Sequence, residues 1–122
     1  MSMTEVPAAV AAFEQATDAV VVVDVQGVIV VFNKGAEEIF GYSAADVTGE
    51  FIEVLVPDGM QWGHQAYRRG YFAEPNEREM DPGLDPHAAA ADGSLVPIAV
   101  HLEPVRADGK LFVAAHVSTR EG

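Results

Sequence analysis

Four histidines, His64, His87, His101 and His116, are the side chains of this 122-residue sequence best suited to hold a metal or move a proton near neutral pH. Their spacing limits what they can do. Asp81, Asp85 and His87 fall within a few residues of one another, but they match neither a zinc His-x3-His pair nor the ligand positions of a calcium loop. They read as solvated turn residues. His101 lies between Val100 and Leu102 in an alternating apolar stretch, so its ring points to the opposite face and toward solvent. Glu37 and Glu38 are neighbours that face different ways on a helix, and no nucleophile stands near them. A Gly-rich phosphate loop and a Gly-x-Ser-x-Gly elbow are both missing. These residues predict a domain without catalytic activity. His64 stands apart, on a segment that follows the apolar turn Leu55-Val56-Pro57 and carries Tyr67 and Tyr71.

The elements around these residues can be read from period and punctuation. Residues 19–24 and 28–32 are rich in Val and Ile and are separated by Val25-Gln26-Gly27, which predicts a hairpin turned at a glycine. Ala36, Ile39 and Phe40 then fall at i, i+3, i+4, the inner face of a short helix, and Gly41 stops it. Ser43 is placed to cap a further turn over residues 44–47, ended by Gly49. Phe40, Ile39 and Val100 are expected in the core. Upstream, Pro7 opens a leading helix with a modest apolar face of Ala8, Val10, Ala11 and Phe13. That face suits either its own sheet or a second protomer.

After Gly49, residues 51–56 form a short apolar turn closed by Pro57-Asp58-Gly59, and residues 62–72 read as a helix weakened by Gly63 and Gly70. The stretch 78–91 reads as an edge or bulged strand interrupted by Pro82-Gly83 and Pro86, since proline lacks the ladder donor. Asp92-Gly93 turns the chain into residues 95–105, where Ile98, Val100 and Leu102 face inward. A last strand over 111–117 has no face marked as inward. The sum is an α+β domain, a five-stranded antiparallel sheet flanked by a cluster of short helices.

The order of Asn33, Ala36-Glu37, Phe40-Gly41-Tyr42-Ser43 and Gly49 resembles the N-terminal half of a PAS domain, and Asp92-Gly93-Ser94 with Val96-Pro97 resembles its later turn and strand. The resemblance spans roughly residues 13 to 117. It implies a PAS domain over 13–119, a leading helix or extension over 1–12, and at 120–122 the start of a linker to an effector. It also implies a sensory or regulatory module of a cytoplasmic signalling protein, such as a histidine kinase of a two-component system, a cyclase or a transcription regulator. Such a module would bind a small apolar ligand or cofactor and relay its presence. A ligand-free dimerisation module is the alternative, and a homodimer fits both. The usual Asp-Ile-Thr ending is replaced by Ser118-Thr119-Arg120.

Around His64 the sequence is similar to the haem-binding PAS domains of bacterial oxygen sensors. That similarity implies haem with His64 as its axial metal ligand. It places Tyr67 beside the ring, Arg78 as a propionate partner, Val100 and Leu102 on the distal wall, and Leu84 where the oxygen sensors carry a basic residue. A flavin without adduct chemistry, with Trp62 as its ring neighbour, is a lesser option.

Composition narrows the partners. The net charge is −12, from seven basic and nineteen acidic residues, which disfavours nucleic acid and anionic membrane surfaces. No apolar run approaches the ~20 residues of a membrane span. Cysteine is absent, which excludes disulfides and the flavin–thiol adduct of photoreceptor PAS domains.

Overall fold

The computed structural model describes residues 6–80 and 85–120, with only the backbone at Trp62. Its frame is antiparallel. Strands β1 (Ala19–Asp24), β2 (Ile29–Phe32), β3 (Arg78–Glu79), β5 (Leu95–Ala107) and β6 (Lys110–Thr119) lie in the order β2-β1-β6-β5-β3. Strand β4 (His87–Ala89) pairs with the first part of β5. The sheet thus has five positions across, with the third strand in chain order, expected over 78–91, split into β3 and β4, giving six strands among the described residues. Arg78 and Glu79 pair with Leu102 and His101, whereas residues 87–89 pair with 95–97. Pro82 and Gly83, expected to cause the break, lie outside the described residues.

Both sheet faces are covered, which explains why β1 is a run of valines rather than an alternation. Ala19, Val21 and Val23 join the inner core, and Val20 and Val22 join an outer one. The inner face carries helices α2 (Lys34–Phe40) and α3 (Ala44–Val47), a 3-10 turn (Ile52–Leu55) and α4 (Gln61–Ala73). The outer face carries α1 (Ala8–Ala11) and a 3-10 turn (Ala12–Gln15). Val10 is fully buried against Val20, Val22 and Phe112, so the leading helix covers its own sheet. Strand β6, unassigned in sequence, is buried on both faces: Val113 and Val117 inward, Phe112 and Ala114 outward. Of the expected core residues, Phe40 and Val100 are buried and Ile39 is half-buried.

Asn33 ties these layers together. Its Oδ1 accepts from Ala36 N at 3.0 Å, capping α2, and from Val20 N at 2.9 Å, and its Nδ2 donates to Asp18 O at 2.7 Å. Gly35 lets α2 lie directly on β1, since a Cβ there would come within 2.8 Å of the Ala19 Cα. Among the described residues no helix is long and apolar enough to cross a membrane.

Candidate functional site

A cavity of about 310 Å³ lies between the inner sheet face and α4. Val21, Val100, Leu102 and Val113 supply its sheet wall, and Leu55 and Tyr71 are among the residues opposite. The lining is almost wholly apolar. His64 and Arg68 border it from α4, and Pro86 and His87 from the start of β4.

The polar corner is built by α4 and the 3-10 turn before it. His64 and Arg68 are four residues apart and therefore share a helix face. Both reach Glu53, which is buried within an otherwise apolar turn. His64 Nδ1 lies 2.8 Å from Glu53 Oε2, and Arg68 donates from Nε at 3.2 Å and from Nη2 at 3.4 Å. Gln61 fixes the start of α4 by donating to the carbonyls of Glu53 at 3.0 Å and Val56 at 3.2 Å. The Arg68 guanidinium crosses Gly27, in the space a Cβ would occupy, which is a second reason for glycine where φ is +84°.

Burial by itself raises the Glu53 carboxyl, but the hydrogen bonds and charges of Arg68 and His64 outweigh it and hold the group below the usual carboxylate range. An ionised carboxylate only accepts, so His64 donates to it from Nδ1. Its Nε2 has no hydrogen-bond partner among the described residues. This is the carboxylate–histidine arrangement that orients imidazoles used as metal ligands.

Of the residues that the resemblance grouped into a site, His64, Tyr67, Val100 and Leu102 line the cavity. Arg78 does not. Its guanidinium lies over the rings of Tyr67 and Tyr71, 5.6 Å and 5.3 Å from their centres. Tyr71 donates to Asn76 O, and burial pushes its hydroxyl upward in pKa. The Tyr67 hydroxyl is buried without a hydrogen-bond partner among the described residues. Leu84 and the Trp62 ring lie outside the described residues.

A porphyrin fits this site only in part. The imidazole is suitable, but the cavity has the volume of on the order of ten liquid waters, and a haem carries several times that many non-hydrogen atoms. Its size stands at the lower limit of small-molecule pockets, roughly 300 Å³.

Sequence reading missed Glu53 and Arg68. A carboxylate between Ile52 and Val54 in an apolar turn, followed by a His and an Arg at helical spacing, was the signal available. Of the remaining histidines, only His87 borders the cavity. His87 donates from Nδ1 to Asp85 O at 2.8 Å. His101 and His116 stand side by side on the outer sheet face among carboxylates, their ring centres 6.1 Å apart.

An antiparallel sheet flanked by short helices, with a cavity between its inner face and α4, defines a class of α+β modules. Residues 9–117 match the family described as the PAS fold, and the chain belongs to that family. It is 24% identical over 100 residues to "Sensor protein FixL" of Bradyrhizobium diazoefficiens, covering 82% of this chain and 20% of that protein. It is 27% identical over 106 residues to "Oxygen sensor protein DosP" of Escherichia coli, covering 87% of this chain and 13% of that protein. The chain therefore spans a fifth or less of either relative. Among solved structures, the PAS domain of an HTR-like protein from Haloarcula marismortui superimposes with a TM-score of 0.73 at 24% identity, covering 90% of this chain and 87% of that one. The RpfR quorum-sensing receptor PAS domain of Cronobacter turicensis, in complex with BDSF, gives 0.70 at 17% identity, with 87% and 96% covered.

Proposed function

We propose that the domain is the sensory module of a cytoplasmic signalling protein and takes a small, mainly apolar ligand into the cavity beside α4. The observation that carries this reading is the cavity itself: about 310 Å³ of almost wholly apolar space with an organised polar corner. Apolar walls around space of this size are what small-molecule sites offer, with a few polar groups to orient the occupant. The names of the relatives, a sensor and an oxygen sensor, and the bound BDSF of the RpfR domain agree with a sensory role.

The end of β6 offers a relay. Arg120 donates from Nη2 to Asp85 Oδ1 at 2.8 Å and to Pro86 O at 3.1 Å, and from its backbone N to Pro97 O at 2.9 Å. Pro86 and His87 border the cavity, so an occupant that favours one position of that wall biases the end of β6 as well. A homodimer is the natural setting for such an output.

The test is native mass spectrometry of the purified domain, followed by organic extraction. A retained or exchangeable apolar compound is the expected result. A cavity that stays empty and takes up no hydrophobic probe overturns the sensory reading and leaves the ligand-free dimerisation module. Haem is a second reading, favoured by the Glu53–His64 pair and opposed by the volume. Bound there, it would supply an iron centre for diatomic gases, and His64 Nε2 is the atom that would hold it. Haem titration that yields no Soret band ends that reading, as does a band that persists in His64→Ala.

A further inference from the structure

Helix α4 carries two glycines, Gly63 and Gly70, each of which weakens a helix relative to alanine. Neither is required by the fold. Both lie inside the helix without a positive φ, and a Cβ at either would meet nothing within 4 Å. They differ in one respect: Gly63 borders the cavity and Gly70 does not. Met60, His64, Tyr67 and Tyr71 succeed one another at helical spacing and line the cavity, and Gly63 stands at the margin of that face. Gly63 is also exposed, as is Met60 at 51%, and no other described residue of the cavity wall is. Residues that meet both the cavity and the solvent mark where the two communicate. Given that the cavity is a ligand site, we propose that its mouth lies between Met60 and Gly63, at the first turn of α4. The missing side chain at Gly63 keeps that mouth open. The unbranched Met60 side chain can swing across it or away.

Exchange of 1-fluoronaphthalene, an uncharged apolar probe small enough for about 310 Å³, tests this by fluorine NMR. One titration gives its affinity and its rates of association and release. Gly63→Leu places a helix-favouring side chain in the mouth, and Gly70→Leu places the same side chain two turns away as the control. In Gly63→Leu both rates should fall together by roughly tenfold, with far less change in affinity, because the barrier rises while the free and bound states stay alike. Gly70→Leu should leave both rates within about twofold of the original. Met60→Ala should act in the opposite direction and speed both rates. That variant removes atoms, so it reads the same opening without requiring a larger residue to be tolerated.

Unchanged rates in Gly63→Leu would place the mouth elsewhere and overturn the proposal, as would equal slowing in Gly70→Leu. A lower affinity with faster release in Gly63→Leu would mean that the leucine fills the cavity rather than its mouth, which also overturns it. Rates that do not rise in Met60→Ala remove Met60 from the opening and overturn it as stated. In each of these cases the probe still binds, and the ligand-site reading stands. If the unsubstituted chain does not bind the probe at all, that reading falls, and this proposal with it.

Discussion

His116 Nδ1 lies 2.7 Å from the Oδ2 of Asp18, which precedes it by 98 residues, and its Nε2 lies 2.8 Å from Glu103 Oε1. An imidazole can donate from both nitrogens only when doubly protonated. His101, paired with His116 across β5 and β6, repeats the pattern with Glu79 at 3.0 Å and Glu77 at 2.8 Å. For His116, burial lowers the pKa but the bonds to Asp18 and Glu103 outweigh it. For His101, the bonds to Glu77 and Glu79 raise it directly. A group whose folded pKa exceeds its unfolded value of about 6.5 stabilises the fold fully below that pH. The contribution is lost as pH climbs through the folded value. The urea midpoint should therefore fall over a window above about pH 6.5, and His116→Gln should flatten the fall. An unsubstituted domain with a level profile over that window contradicts the paired assignment.

Asn33→Ala should cost about 2–4 kcal/mol, because it strands two buried backbone donors and uncaps α2. Asn33→Asp keeps the acceptor for Val20 and Ala36 and loses the donation to Asp18 O, so its cost should be smaller. Denaturant titration decides the order. An alanine variant within about 1 kcal/mol of the original would remove Asn33 from the centre of the fold.

Phe40 is 3% exposed and its ring centre lies 5.7 Å from that of Phe32. Phe40→Ala should cost roughly 3–5 kcal/mol, and Ile39→Ala, at a half-buried site, distinctly less. Phe40 also borders the cavity, so its loss should loosen binding of any apolar probe. Equal costs for the two variants would mean that α2 is rotated from the position described.

Arg120→Ala should leave the denaturant midpoint nearly unchanged, since exposed ion pairs contribute little. Its effect should appear locally instead. The amide of Ile98, bonded to Pro86 O at 3.1 Å, and the amides of β4 should exchange hydrogen faster once the clasp is gone. Unaltered exchange there would separate the end of β6 from the cavity wall and remove the proposed relay.

Much of this architecture is legible in local sequence. The hairpin at Gly27, the capped helix from Asn33 to Gly41, the turn from Ser43 and the inward set Ile98, Val100 and Leu102 all depend on residues a few positions apart. Their periodicity and turn chemistry act within that range. Asn33 could be recognised by its place after β2, but its bonds to Val20 and Asp18 come only from closing the sheet. The leading helix shows where local reading ends. Its apolar face was equally suited to two partners, and the outer core of Val20, Val22 and Phe112 decided for its own sheet. Strand β6 carried no inward signal because both of its faces are buried.

The candidate site divides in the same way. The sequence by itself determined that His64 follows an apolar turn on a helix that also carries Tyr67, and that no cysteine is available, while Glu53 and Arg68 went unread. Only the tertiary structure joined Glu53 to His64 across 11 residues and a change of direction, set the Arg78 guanidinium over the Tyr67 and Tyr71 rings, and fixed the cavity volume. Hydrophobic pattern is a property of neighbouring residues. The protonation of an imidazole and the size of a cavity are set by groups that meet only when the chain has closed on itself.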